Sequence, residues 1–209
     1  MTYTVVDAST IAGEIANGNY NLCTTKVLGM VSLFNNNTSF NTDISFWDTS
    51  NVINMNVMFQ GASSFNQNIS SLDTSNVTEM GNMFTGASSF NQDISSWNTS
   101  KVINMVNMFS SETVFNQNIG NWNTSNVKYM GGMFREALSF NQNIGNWNTS
   151  NVEDMQGMFQ KANPQANYSF NQNIGNWNTS NVEDMQYMFE GNNSFNQNIG
   201  NWDTSNVTN

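Results

Sequence analysis

Thirteen of the fourteen methionines fall on a single repeating unit, Phe-Asn-Gln-Asn-Ile-Gly-Asn-Trp-Asn-Thr-Ser-Asn-Val-x-x-Met-x-x-Met-Phe. The phenylalanines that open it are Phe40, Phe65, Phe90, Phe115, Phe140, Phe170 and Phe195, spaced by 25 residues five times and by 30 once. A fixed period of this size implies an array in which each unit buries its apolar face against its neighbours. Function is then expected on a ladder of near-identical surfaces rather than in one deep pocket.

Composition supports stacking. Only 10% of the 209 residues are charged, against roughly 25% in an average soluble domain. Identical charges stacked at strand spacing repel one another, whereas stacked amides hydrogen-bond. The net charge of −10, with five Lys+Arg and no basic run, argues against nucleic acid and anionic membranes as partners. No apolar stretch is long enough to insert as a membrane helix. Residues 1–20 lack the basic and apolar regions of a signal peptide. The lone Cys23 cannot form an intramolecular disulfide, and it is expected to be a free thiol at a turn position without a catalytic role.

Residues 1–21 stand outside the repeat. Tyr3-Thr4-Val5-Val6 is β-prone. Asp7, Ser9 and Thr10 offer caps for a short helix carrying Ile11 and Ile15 and ending at Gly18. This segment reads as an N-terminal cap or assembly segment. Residues 22–209 form about seven and a half units, with a five-residue insertion near 161–168 that includes the only proline. The insertion is expected to bulge from one face.

The period changes within a unit. Val152, Met155, Met158, Phe159 and Ala162 recur at helical spacing, and Ser150 with Glu153, like Ser180 with Glu183, matches a capping box. Phe140, Gln142 and Ile144 alternate with Asn141 and Asn143, as in a strand. Each unit therefore reads as strand, turn, short helix or 3₁₀ segment, then loop. Stacking would give one parallel sheet of short strands with a helical edge, straighter if those segments are single turns.

Three words carry a family resemblance: Trp202-Asp203-Thr204-Ser205-Asn206-Val207-Thr208, Met155-Gln156-Gly157-Met158-Phe159 and Ser89-Phe90-Asn91-Gln92-Asp93-Ile94. Over roughly residues 22–209 the chain resembles the BspA-like leucine-rich-repeat surface proteins, a repeat also common in mycoplasma lipoproteins. The resemblance implies a leucine-rich-repeat-like solenoid on a microbial surface, with adhesion or interaction roles and no catalytic residues. The chain departs from that pattern at Cys23, which no lipidation box precedes.

With no histidine and one cysteine, Ser/His and Cys/His nucleophile pairs and His-based metal sites are absent. Glu153-Asp154 and Glu183-Asp184 could hold a divalent cation but read better as acids opposing a helix dipole. Asp48, Asp73 and Asp203 read as turn residues, the methionines and phenylalanines as core, and the tryptophans as seals at the coil corner, with a row of indoles that stacks on sugar rings or contacts a partner as the alternative. No catalytic residue, cofactor or metal site is assigned. Asn98, Asn123, Asn148 and Asn178 are candidate glycosylation acceptors in turns.

The expected function is that of a non-enzymatic extracellular or cell-surface structural repeat protein. Copies of the chain would stack head-to-tail into a filament or surface layer through Tyr3, Val5, Ile11, Ile15, Trp202 and Val207. The alternative is a monomeric adhesin that binds a host protein or glycan along its sheet face.

Overall fold

The repeats are held together by hydrogen bonds between neighbouring coils, one coil per unit. The computed structural model describes residues 2–162 and 166–209. In the coil around Met80, alternate backbone N–H groups reach the next coil: Met80 donates to Asn104 O (3.0 Å), Asn82 to Val106 O (2.8 Å), Phe84 to Met108 O (2.9 Å) and Gly86 to Ser110 O (2.9 Å). The intervening N–H groups of Met83, Thr85 and Ala87 close tight turns onto Met80, Asn82 and Phe84. The N–H of Gly81 donates to Asn56 Oδ1 at 2.6 Å. No donor of this stretch is left over, as a buried backbone requires.

The parallel bridges run through Gly29, Asn54, Glu79, Asn104, Tyr129, Asp154 and Asp184, the residue before the first Met of each coil. The ladder therefore runs through the Val-x-x-Met half of the unit, and the expectation of a strand in the Phe-Asn-Gln-Asn-Ile half is corrected. In that half the backbone bonds to side chains instead. Asn116 Oδ1 accepts from Asn141 N (2.9 Å) and from Gln142 Nε2 (3.0 Å), and the same pattern links Asn91 to Asn116 and Asn141 to Asn171. The Asn-Gln edge is thus a ladder of amides.

The expected helical segment is likewise corrected to a chain of overlapping turns. Positive φ recurs within each coil, at Ser32 and Asn36, Val57 and Gly61, Asn82 and Gly86, Asn107 and Ser111, Gly132 and Glu136. Left-handed residues at this spacing cannot belong to an α-helix. Ser150 and Ser180 therefore cap no helix; their N–H groups close turns on Asn148 and Asn178.

The core is the foreseen one. Met105, Met108, Phe109, Phe115 and Ile119 are fully buried, while Asn116 and Asn118 face out. The opening phenylalanines stack coil on coil, from 5.4 Å between Phe40 and Phe65 to 6.1 Å between Phe170 and Phe195. The rings of this row are nearly parallel, with interplanar angles from 14° in the first pair to 2° in the last. Trp97, Trp122, Trp147 and Trp177 are 3–4% exposed. Each indole N–H donates to the carbonyl of an isoleucine in the preceding coil, as Trp122 Nε1 does to Ile94 O at 3.1 Å. The tryptophans seal the corner as expected.

At the N-terminal end, β1 (Thr4–Asp7) pairs in parallel with β2 (Leu22–Lys26), and α1 (Ile11–Ala16) lies between them in sequence. Asp7 Oδ1 accepts from the N–H groups of Ser9 (2.9 Å) and Thr10 (3.2 Å), which sets the turn into α1. Gly18 ends the segment at φ +76. Of the insertion, residues 163–165 lie outside the described residues. Its last residue, Tyr168, folds inward and is buried, with its hydroxyl donating to Phe134 O.

Candidate functional site

Three parts of the coil repeat with little change. The amide edge is Asn in every coil from Asn41 to Asn196, the corner carries Trp or Leu, and the Asx turn carries Asp or Asn at 48, 73, 98, 123, 148, 178 and 203. The outward residues of the turn ladder differ. The position after the core Val reads Leu28, Ile53, Thr78, Ile103, Lys128, Glu153, Glu183. The left-handed position between the paired methionines reads Ser32, Val57, Asn82, Asn107, Gly132, Gly157, Tyr187. The backbone beneath is uniform, so this face presents a varied surface on a constant scaffold. Its N-terminal part exposes Leu28, Val31 and Ile53. Its C-terminal part is charged, with Lys128 and Glu153 paired at 2.7 Å.

A polar groove of about 310 Å³ opens in the C-terminal part. Gly131, Gly132 and Gly157 form its floor, and Arg135, Asp154 and Tyr187 stand around it. The glycines let neighbouring side chains pack down onto the backbone: a Cβ at Gly131 would lie 2.6 Å from Asp154 Oδ2, and one at Gly132 would meet Asn107 Oδ1. Gly132 and Gly157 are left-handed, at φ +63 and +57, where glycine is unstrained. Asp154 is half-buried; Oδ1 accepts from Gln156 N at 2.8 Å, and Oδ2 takes no hydrogen bond among the described residues. Burial and, less strongly, the neighbouring Asp184 raise the Asp154 carboxyl above its ordinary range, against the hydrogen bond from Gln156. Arg135 is the chain's one arginine, and its guanidinium has no partner among the described residues. Tyr187 holds φ +60 while 53% exposed.

The residues singled out from sequence are dispersed. Ile11 and Ile15 are 1% and 8% exposed, buried within their own chain, so they are not available to dock a second copy. Tyr3 and Val5 are exposed at the N-terminal end, and Trp202 and Val207 are half-buried about the last coil. Asn98, Asn123, Asn148 and Asn178 are exposed, and each side-chain oxygen closes an Asx turn on the serine two residues on. Asp48, Asp73 and Asp203 do the same, as expected of turn residues. Hydrogen bonds from Ser50, its side chain first, hold the Asp48 carboxyl below its ordinary range. Glu153, Asp154, Glu183 and Asp184 lie on the ladder face rather than at helix ends, and among the described residues no cluster of three metal-ligating side chains forms. Cys23 is free and lies on β2, not in the expected turn.

Sequence reasoning passed over Arg135, Tyr187 and the glycine floor. The available signal was the contrast between coils at positions such as 132 and 187.

The fold and this face define a repeat protein built of short, mostly non-helical coils. The chain belongs to the family described as "Mycoplasma protein of unknown function, DUF285", whose model matches residues 1–111, 92–168 and 164–209. No curated protein and no solved structure matches the chain.

Proposed function

We propose that this protein is a non-enzymatic recognition protein of the microbial cell surface. Its coils are read as a leucine-rich-repeat-like solenoid of the BspA type, and its partner is a host protein or glycan bound along the ladder face. The observation that carries the reading is the contrast between surfaces: outward residues are nearly constant on the amide edge and the Asx turns but change from coil to coil on the ladder face. A constant backbone with changing side chains on one face is how repeat scaffolds build binding surfaces.

The test is binding of the labelled protein to arrays of extracellular-matrix proteins and glycans. Ile53→Thr with Ile103→Thr, and separately Tyr187→Asn, borrow the residue found at the same position of another coil, Thr78 or Asn82. At least one of these changes is expected to weaken binding tenfold or more. Asn121→Ser, which copies Ser71 and Ser96, is expected to leave it unchanged. An absence of binding on both arrays, or equal loss with the Asn121 change, would refute the reading.

Head-to-tail assembly is the second reading, and β1 favours it. Among the described residues β1 pairs only with β2, which leaves its other edge open, and Val5 on it is exposed. An open strand edge can accept another chain. Val5→Lys should then dissolve any filament seen by electron microscopy; a sedimentation profile that is monomeric before the change rejects this reading.

A further inference from the structure

We infer that the groove over Gly131, Gly132 and Gly157 is a binding site for one neutral sugar residue of a glycan; the inference rests on the recognition reading and names its ligand class. The groove's volume of about 310 Å³ lies at the small end of ligand clefts. It suits a single ring rather than a protein segment.

Its groups are those a polyhydroxyl ligand needs. Asp154 Oδ2, which takes no hydrogen bond among the described residues, lies over Gly131 and can accept from hydroxyls. The Arg135 guanidinium supplies donors and has no partner among the described residues. Asn107 and Gln156 add carboxamides at the rim. Tyr187 offers a ring with both an apolar face and a polar tip, which suits the C–H face of a sugar.

Charge selects the neutral class. The chain carries −10 overall, and Asp154 sits inside the groove with Asp184 in the adjoining coil. A carboxylate or sulfate on the sugar would meet that repulsion, with Arg135 as the one opposing charge in the groove.

Backbone strain is a further argument. Seven coils hold this position left-handed, and five of them fill it with Ser, Asn or Gly. A bulky aromatic there is disfavoured by its Cβ, and such outliers gather at ligand sites. Val57 is a second exception, and no groove residue accounts for it.

Coil-to-coil substitutions make the test possible without disturbing the fold. Arg135→Gln copies Gln60, Asp154→Asn copies Asn104, and Tyr187→Asn copies Asn107. The intact protein is applied to an array of neutral hexose, N-acetylhexosamine and deoxyhexose glycans beside sialylated, uronate and sulfated ones. The strongest neutral glycan is then titrated calorimetrically. Binding to neutral glycans is expected, weakened tenfold or more by each substitution with the melting temperature unchanged. Preference for the acidic glycans, or equal affinity in all three variants, overturns the inference. If no glycan binds while a protein target binds and is lost on changing Ile53 and Ile103, the sugar site fails and the recognition reading stands. If nothing binds, both fail.

Discussion

Glu112 offers a sharp test of the stacked core. It stands where other coils carry Ala62, Ala87 and Ala137, it is fully buried, and neither carboxyl oxygen has a hydrogen-bond partner among the described residues. Burial without a partner pushes its carboxyl up to about 9 from an ordinary 4.5. The folded chain therefore keeps a proton that the unfolded chain releases above pH 4.5. Stability falls as pH rises between those two values, by about 1.4 kcal/mol per pH unit, and is flat above the upper one. By pH 7 the loss is about 3 kcal/mol relative to acid. Glu112→Gln keeps the shape and removes the titration. Urea unfolding of both proteins, followed by tryptophan fluorescence from pH 5 to pH 8, isolates the effect because all other groups cancel in the difference. The variant's advantage should grow by about 1.4 kcal/mol for each unit of pH. A difference that does not change with pH would show that Glu112 is ionised or solvated in the fold, and the reasoning would fail.

Other expectations follow from the ladders. Val57 is β-branched at φ +64, so Val57→Asn, the residue of two other coils, should stabilise by about 1–2 kcal/mol in chemical denaturation. Met108→Ala should cost about 2–5 kcal/mol by the same assay, since Met108 is wholly buried. Asn116→Ala removes the acceptor of two inter-coil bonds and should cost about 1–3 kcal/mol, with amide exchange rising at Asn141.

The sequence disclosed the period, the apolar set and the sealing role of the tryptophans, because those depend on which side chains are apolar and how often they recur. It misplaced the ladder for a physical reason. Val152, Met155, Met158 and Phe159 recur at three- and four-residue spacing in a helix and equally in a run of alternating right- and left-handed turns. The deciding quantity is the sign of φ at positions such as 32, 57 and 82, which hold Ser, Val and Asn. Those residue types do not announce a left-handed backbone as glycine would. Along Phe140, Gln142 and Ile144 the alternation misled: Gln142 lies on the amide edge with Asn141, whose N–H bonds to a side-chain amide, which no periodicity reveals. The groove was hidden because its lining, from Asn107 to Tyr187, is brought together only by the stacking of four coils.

The central claim is that recognition resides on the varied ladder face while the constant edges are scaffold. Chemical-shift mapping by nuclear magnetic resonance tests it directly, with the bound glycan or protein titrated into the isotope-labelled chain. Perturbed amides are expected along the ladder face, led by residues 131, 132, 154, 157 and 187 for a glycan, with quiet amides at 116–123 and 141–148. Shifts concentrated on the amide edge or the Asx turns, with the ladder face silent, would contradict it.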